Sequence, residues 1–97
     1  MTNKIGAVEA LTTLTKWSAG DIGRDAIHRQ YTFADFKTAW AFMSACALKA
    51  EQMDHHPEWS NVYGRVDVTL TTHDLDGVST KDVELGAYMD ALFEQLS

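Results

Sequence analysis

Two segments of the sequence alternate apolar and polar residues, and this period of two predicts β-strands that bury one face. Between residues 65 and 72 every second position is apolar: Val66, Val68 and Leu70. Between residues 26 and 33 one side of the predicted strand carries Ile27, Arg29, Tyr31 and Phe33. Because each strand leaves an apolar face uncovered, the chain must place other elements against one side of a sheet.

The longest amphipathic pattern lies between these two strands and predicts a helix of about 18 residues. The helix is expected to begin at Thr32-Phe-Ala-Asp35, which has the Ser/Thr-x-x-acid form of a helix start, and to end near Gln52. Its apolar stripe is expected at steps of four and three, with these members: Phe36, Trp40, Met43, Ala47 and Ala50. We therefore expect Phe36 and Trp40 to lie in the core.

Shorter patterns predict the elements near the N-terminus and the middle of the chain. Residues 5–15 can form a short helix with an apolar side made of Val8, Leu11 and Leu14. Residues 16–25 contain Gly20-Asp21 and Gly23, which is typical of a strand or extended arm followed by a turn. Residues 61–63 form a hairpin with the strand at 65–72, with the turn at Gly64.

The C-terminal part of the chain predicts a second long helix. Asp76-Gly77 supplies a turn, and Ser79-Thr-Lys-Asp82 is a capping-box start for a helix that runs to about Leu96. A broad apolar face is expected from its residues: Val83, Leu85, Ala87, Met89, Ala91, Leu92 and Leu96. The order α-β-β-α-β-β-α predicts an α+β fold, a four-stranded antiparallel sheet with helices packed on one face, within a single domain of residues 1–97.

Composition excludes some function classes. The 97 residues carry a net charge of −6 with no run of Lys or Arg, so direct binding to nucleic acid or to an anionic membrane is disfavoured. The single Cys46 cannot form an internal disulfide, which fits a reducing compartment. The N-terminus has no apolar signal region and no apolar run of transmembrane length follows. We expect a cytoplasmic protein.

Three of the four histidines lie between His55 and His73, close to several carboxylates. Imidazole exchanges protons near neutral pH, so the cluster indicates either a proton-transfer site or a metal site. Pro57 disfavours helical geometry at His56, so the adjacent His55 and His56 should be extended and point to opposite sides. The two histidines should therefore have different tasks.

Two alternatives bear on the adjacent histidines, and a separate expectation concerns the fourth histidine. Two histidines and a carboxylate can bind zinc or non-haem iron, but adjacent extended histidines diverge and Cys46 lies inside a helix, so we predict no metal ligands. The pair could instead cap the preceding helix, since a cationic His interacts well with a helix C-terminus. His28, alone on the polar side of its strand, is expected to be a surface residue.

The spacing of the cluster resembles one family. Glu51 stands four residues before His55-His56-Pro57, and the aromatic Tyr63, His73 and Asp82 follow. This pattern resembles the pterin-4a-carbinolamine dehydratases, whose motif runs acid-x3-His-His-Pro, an aromatic residue, a further His and then Asp. The resemblance extends from about Trp17 to the final helix.

The resemblance implies loss of water from a 4a-hydroxytetrahydropterin to give the quinonoid dihydropterin, without a metal or other cofactor. His55 and His73 would be the general acid and base, His56 would bind and orient the substrate, and Glu51 would hydrogen-bond to the ring or hold a histidine tautomer. Further substrate contacts would come from a larger set: Asp54, Pro57, Trp59, Thr71, Thr72 and Asp74. Tyr63 and Asp82 would support the site, and Trp17 could either wall the substrate or lie in the core.

An alternative to catalysis is a pterin-binding or protein-dimerisation (coactivator) module. Some family members resemble this chain and also bind a transcription factor through a helix face, and the apolar face of residues 83–96 could serve such a partner. The same face predicts a homodimer or homotetramer. The resemblance also suggests a functional link to an aromatic amino-acid hydroxylase that produces the pterin substrate.

Overall fold

A computed structural model describes residues 2–20 and 23–97 of the chain. Its elements follow the predicted order α-β-β-α-β-β-α, with one short 3₁₀ turn before the last helix. The bounds are α1 Ala7–Thr13, β1 Ser18–Ala19, β2 Ile27–Thr32, α2 Phe36–Met53, β3 Glu58–Val62, β4 Arg65–Leu70, the 3₁₀ turn His73–Leu75 and α3 Thr80–Leu96. The expected turn after β1 falls partly on Asp21 and Ile22, which lie outside the described residues.

The four strands form one antiparallel sheet in the order β1-β2-β4-β3. The predicted alternation is confirmed, because the apolar side of β2 and β4 is buried in the core against the helices. Tyr31 of β2 lies opposite Val66 of β4, and both side chains are fully buried. The α+β fold with helices on one face of the sheet is therefore confirmed.

The β3–β4 hairpin turns at Tyr63 and Gly64, as predicted. Gly64 accepts a hydrogen bond from the Phe33 amide at 2.7 Å, and a Cβ at Gly64 would stand 2.4 Å from the Phe33 carbonyl oxygen. Only glycine allows this close approach of two backbones.

The buried stripe of α2 differs from the predicted one. Phe36 and Trp40 are 51% and 56% exposed, and Ala47 is also exposed. The buried residues of α2 are Ala39, Phe42, Cys46 and Ala50, and of these only Ala50 belongs to the predicted stripe. Two stripes of apolar residues follow helical spacing in this segment, and the sheet contacts the stripe with the smaller side chains. The start of α2 also differs, because Asp35 itself is the N-cap and accepts from the Thr38 amide at 2.8 Å.

The last helix begins where the capping-box pattern predicts. The Ser79 side chain and the Asp82 carboxylate form the reciprocal capping box of α3. The buried face is narrower than expected: Leu85 and Met89 are buried, whereas Ala87 and Ala91 are exposed. The short α1 likewise buries Ala10 and not Val8, which is exposed.

One carboxylate ties α3 to the sheet, and sequence patterns did not indicate it. Asp90 accepts hydrogen bonds from the Trp17 indole nitrogen at 3.1 Å, the Arg29 guanidinium at 2.6 Å and the Tyr31 hydroxyl at 2.6 Å. Burial, followed by the contact with Asp90, raises the pKa of Tyr31, so the hydroxyl stays protonated and donates. Trp17, whose role was open, thus belongs to the core.

Replacing Asp90 by Ala should lower the free energy of unfolding by about 2–4 kcal/mol, because the largely buried Arg29 and Tyr31 groups would lose their acceptor. Urea unfolding followed by circular dichroism measures this change. Glu94→Ala, one turn further along the exposed side of α3, should stay within about 0.5 kcal/mol of the parent. Equal effects of the two variants would contradict the role of Asp90.

Candidate active site

A cavity of about 220 Å³ opens where the end of α2, the end of β4 and the start of α3 meet. Its walls consist of Asp54, His55, His56, Thr71, Thr72, His73, Asp74 and Lys81. All of these residues except Lys81 are among the substrate contacts expected from the sequence. The cavity therefore brings together the three histidines that the sequence places 18 residues apart at most.

The end of α2 sets the directions of the two adjacent histidines. Asp54 closes the helix in the left-handed conformation, with φ of 51°, and the His55 amide donates to the Ala50 carbonyl at 3.0 Å. The chain then continues to Pro57 outside any helix or strand. As a result His55 is buried and His56 is exposed, which agrees with the expectation that they diverge.

His55 is held by a buried carboxylate. Its Nε2 lies 2.5 Å from Oδ1 of Asp82, which is 0% exposed. The other oxygen of Asp82 accepts from the Thr72 hydroxyl at 2.8 Å and the Ser79 amide at 2.9 Å. Since both oxygens of Asp82 act as acceptors, the proton of the neutral imidazole lies on Nε2. The second nitrogen, Nδ1, makes no hydrogen bond within residues 2–20 and 23–97 and is the one left for a ligand.

His56 has a different partner and a different setting. Its Nε2 lies 3.0 Å from Oε1 of Glu51, which belongs to the last turn of α2. Both side chains are mostly exposed, so water weakens the pair and the ring can turn. Glu51 does not line the cavity. It is connected to the cavity only by its hydrogen bond with His56.

His73 is held by a carboxylate that sequence patterns did not indicate. Its Nε2 lies 2.9 Å from Oε2 of Glu58, and Arg24 contacts both oxygens of Glu58 at 2.8 and 2.9 Å. The Arg24 guanidinium first, and then His73, lower the pKa of Glu58 to about 2. Glu58 is therefore an anion throughout the neutral range and accepts the proton of the His73 Nε2.

The strand register explains how Glu58 reaches His73. Glu58 pairs with Thr69 across the β3–β4 ladder, four residues before His73. The strand pattern alone did not predict the position of His73, because β4 ends at Leu70 and His73 begins the 3₁₀ turn. The side chain of His73 is exposed.

Besides Glu51, four of the expected site residues do not line the cavity. Asp82 lies behind His55, and Pro57 is half-buried next to His56. Trp59 lies opposite Val68 on the core side of the sheet and packs against the core. Tyr63 is 82% exposed at the far end of the hairpin, about 17 Å along the strand from the cavity at the usual strand rise. Tyr63 therefore belongs to the hairpin turn and does not contribute to the cavity.

No described helix is long and apolar enough to cross a membrane. The described part of the chain also contains no group of three or more His, Cys, Asp or Glu side chains placed to hold a metal ion.

Comparison with known proteins identifies the family. The sequence model of the pterin 4 alpha carbinolamine dehydratase family matches residues 3–92. The chain belongs to this family. The resemblance noted from the His-His-Pro motif is thereby confirmed.

Several relatives share most of their length with this chain. A protein of Burkholderia multivorans named as a pterin-4-alpha-carbinolamine dehydratase is 52% identical over 95% of this chain and 92% of its own length. One of Paraburkholderia xenovorans with the same name is 46% identical over 95% of this chain and 98% of its own length. Among solved structures, a transcriptional coactivator/pterin dehydratase from Brucella melitensis is 48% identical, with a TM-score of 0.85 over 92% of this chain and 97% of that one.

The low pKa of Glu58 has a consequence for stability in acid. Because its folded pKa of about 2 lies below the ordinary value of 4.5, ionised Glu58 stabilises the fold above about pH 4.5, and this contribution disappears as the pH falls through about 2. Glu58→Gln should therefore be less stable than the parent at neutral pH and should lose less stability on acidification. Urea unfolding between neutral pH and about pH 3 measures the difference.

Glu94→Gln serves as the control for this series, since Glu94 is an exposed carboxylate on the last helix. Its pH dependence should follow that of the parent protein. A Glu58→Gln curve parallel to the parent curve would show that the Arg24–Glu58–His73 contacts contribute nothing to folding.

Proposed function

We propose that this protein dehydrates a 4a-hydroxytetrahydropterin to the quinonoid dihydropterin and water, as a step in tetrahydrobiopterin recycling. The observation that supports this best is the cavity in which three imidazoles converge, each held by a carboxylate of its own. Family membership supports the substrate class, because the named relatives are pterin-4-alpha-carbinolamine dehydratases. An aromatic amino-acid hydroxylase would supply the substrate and a reductase would consume the product. The cytoplasmic location stays a prediction.

The reaction requires two proton transfers and no change of oxidation state. The bond between C4a and the hydroxyl oxygen breaks, and the leaving oxygen takes a proton from an acid and departs as water. The N5–H proton goes to a base, and the electron pair of that bond forms the N5=C4a double bond. One protonated and one neutral imidazole can perform both transfers, and each such contribution typically accelerates a reaction by about 10²–10⁴-fold.

We assign the two transfers to His55 and His73. In each, Nε2 is engaged by a carboxylate, so Nδ1 is the atom that exchanges a proton with the pterin ring. Asp82 and Glu58 act as positioning residues that hold the tautomer and the ring plane of their histidines. This arrangement is analogous to a catalytic His oriented by a buried Asp.

The remaining cavity residues would bind the pterin. His56, paired with the exposed Glu51, can move against the ring and orient it. The 2-amino group and N3–H of a pterin are donors, and the carboxylates of Asp54 and Asp74 at the cavity wall are the acceptors that suit them. Thr71 and Thr72 line the cavity and are buried. The Thr71 hydroxyl donates to the Asp25 carbonyl, and this hydrogen bond holds the Thr71 side of the cavity in place.

His73→Ala and His55→Gln should each lower the rate of dehydration by more than about tenfold, because each removes one proton-transfer group. Gln at position 55 keeps a donor for Asp82, so that loss of activity is not a consequence of an unpaired buried carboxylate. The assay follows the absorbance change of freshly generated 4a-hydroxytetrahydropterin in a stopped-flow instrument.

His28→Ala is the matched control, since His28 lies on the sheet surface outside the cavity and only approaches Asp67 at 3.7 Å. It should retain the parental rate. A well-folded double variant of His55 and His73 that turns over at the parental rate would overturn the assignment.

A second role, self-association, is supported by the exposed face of α2. Phe36 and Trp40 stack with their ring centroids 6.1 Å apart while more than half of each is exposed, and Leu48 is exposed further along the helix. Large aromatic side chains of this kind are typical of interface centres. We propose that a second copy of the chain covers this face, in a homodimer or homotetramer, and that α2 rather than residues 83–96 carries the contact.

Trp40→Lys should shift the protein to a smaller assembly, because a cation in the centre of an apolar contact is costly to desolvate. Light scattering coupled to size-exclusion chromatography measures the mass. The matched variant Val8→Lys places the same charge on an exposed apolar residue of α1 and should leave the mass unchanged. A monomeric parent protein would refute self-association and would favour a coactivator-like partner for this face.

A further inference from the structure

A second cavity, of about 380 Å³, adjoins the histidine cavity and shares one wall residue with it. Its lining is polar and charged apart from Met53: Thr2, Lys49, Gln52, Met53, Thr80, Lys81 and Glu84. Lys81 lines both cavities, so its side chain lies where the two meet.

The second cavity is the more cationic of the two. Lys49 and Lys81 face it together with a single carboxylate, Glu84, in a protein whose net charge is −6. Lys49 forms an ion pair with Glu84 at 3.0 Å. Lys81 is half-buried and forms no ion pair within residues 2–20 and 23–97.

The Lys81 side chain forms no ion pair or capping contact in the described part of the chain. It lies in the first turn of α3, where a cation gains nothing from the helix dipole and an anion would be favoured. Because the Lys81 side chain has no carboxylate partner among the described residues, it can pair with an anionic group of a ligand. Thr2, Gln52 and Thr80 add hydroxyl and amide groups to the same cavity, and these suit the hydroxyls of a short polyol chain.

We infer that the second cavity binds the C6 side chain of the pterin and that Lys81 gives this site a preference for pterins whose hydroxylated side chain ends in an anionic group such as phosphate, over the uncharged biopterin. The inference rests on the proposed function, because it places the pterin ring in the histidine cavity. Lys49 is a second cation that can contact the same anionic group. Its ion pair with the half-exposed Glu84 competes with the ligand for this lysine.

The test compares two probes, 7,8-dihydroneopterin and 7,8-dihydroneopterin 3′-phosphate, by titration calorimetry at low ionic strength. The phosphate should bind at least about tenfold more tightly than the uncharged parent, the effect of one charge-assisted contact in a partly buried site. The ratio should decrease in moderate salt, because screening weakens the contact.

Three variants separate Lys81 from general charge. Lys81→Gln should bring the affinity ratio of the two probes close to one. Glu84→Gln should raise the ratio, because it releases Lys49. Lys16→Gln, which removes an equal charge from an exposed residue outside both cavities, should leave the ratio as in the parent.

Equal affinity for the two probes, or a ratio that Lys81→Gln does not change, would overturn the inference. The stopped-flow dehydration assay keeps this failure distinct from failure of the proposed function. If dehydration is intact and the ratio is one, only the side-chain site is wrong. If neither probe binds and no dehydration occurs, both proposals are wrong.

Discussion

The buried carboxylate of Asp82 is the contact on which both the fold and the cavity depend. It accepts hydrogen bonds from the Ser79 amide, the Thr72 hydroxyl and the His55 ring. These three donors belong to the start of α3, the segment after β4 and the segment after α2. A carboxylate removed from water costs several kcal/mol unless its oxygens are all satisfied, and here the donors come from three separate parts of the chain. The arrangement is therefore favourable only when all three segments are docked.

This dependence links helix capping to the chemistry of the site. The residue that completes the capping box of α3 is also the one that orients His55, so the histidine becomes fixed when the helix forms. Asp90 holds the same helix to β2 through Arg29 and Tyr31. With two attachments, α3 cannot slide along the sheet without breaking buried hydrogen bonds. The position of the His55 ring is thus set by the fold before any ligand arrives.

The sequence predicted those features whose cause is local. The order of elements, the hairpin turn at Gly64 and the capping box at Ser79 each follow from a few neighbouring residues, and all are found in the structure. The divergence of His55 and His56 was likewise a consequence of Pro57. The cavity lining from Thr71 to Asp74 followed from the family motif, which records spatial neighbours that no local pattern can indicate.

The features that were predicted wrongly or not at all depend on contacts between distant parts of the sequence. Phe36 and Trp40 satisfy helical spacing as well as Phe42 and Cys46 do, and only packing against the sheet decides which stripe is buried. Glu58 reaches His73 through the register of two strands, and Lys81 reaches the cavity through the docking of α3. Such contacts join residues far apart in sequence, so no periodicity shows them.

The three imidazoles differ in how firmly they are held, and this difference is consistent with the proposed reaction, in which a flat ring enters before protons are transferred. His55 is buried and bound to a fully buried partner, so it presents Nδ1 in one direction. His73 is exposed, but Glu58 restrains it and Arg24 in turn holds both oxygens of Glu58. His56 and Glu51 are both largely solvated and can move apart at little cost. A ring can therefore enter past His56 and meet two histidines whose tautomers are already set. In the proposed mechanism, the site would need little rearrangement during the reaction, because His55 and His73, which would exchange the protons, are not the groups that must move aside.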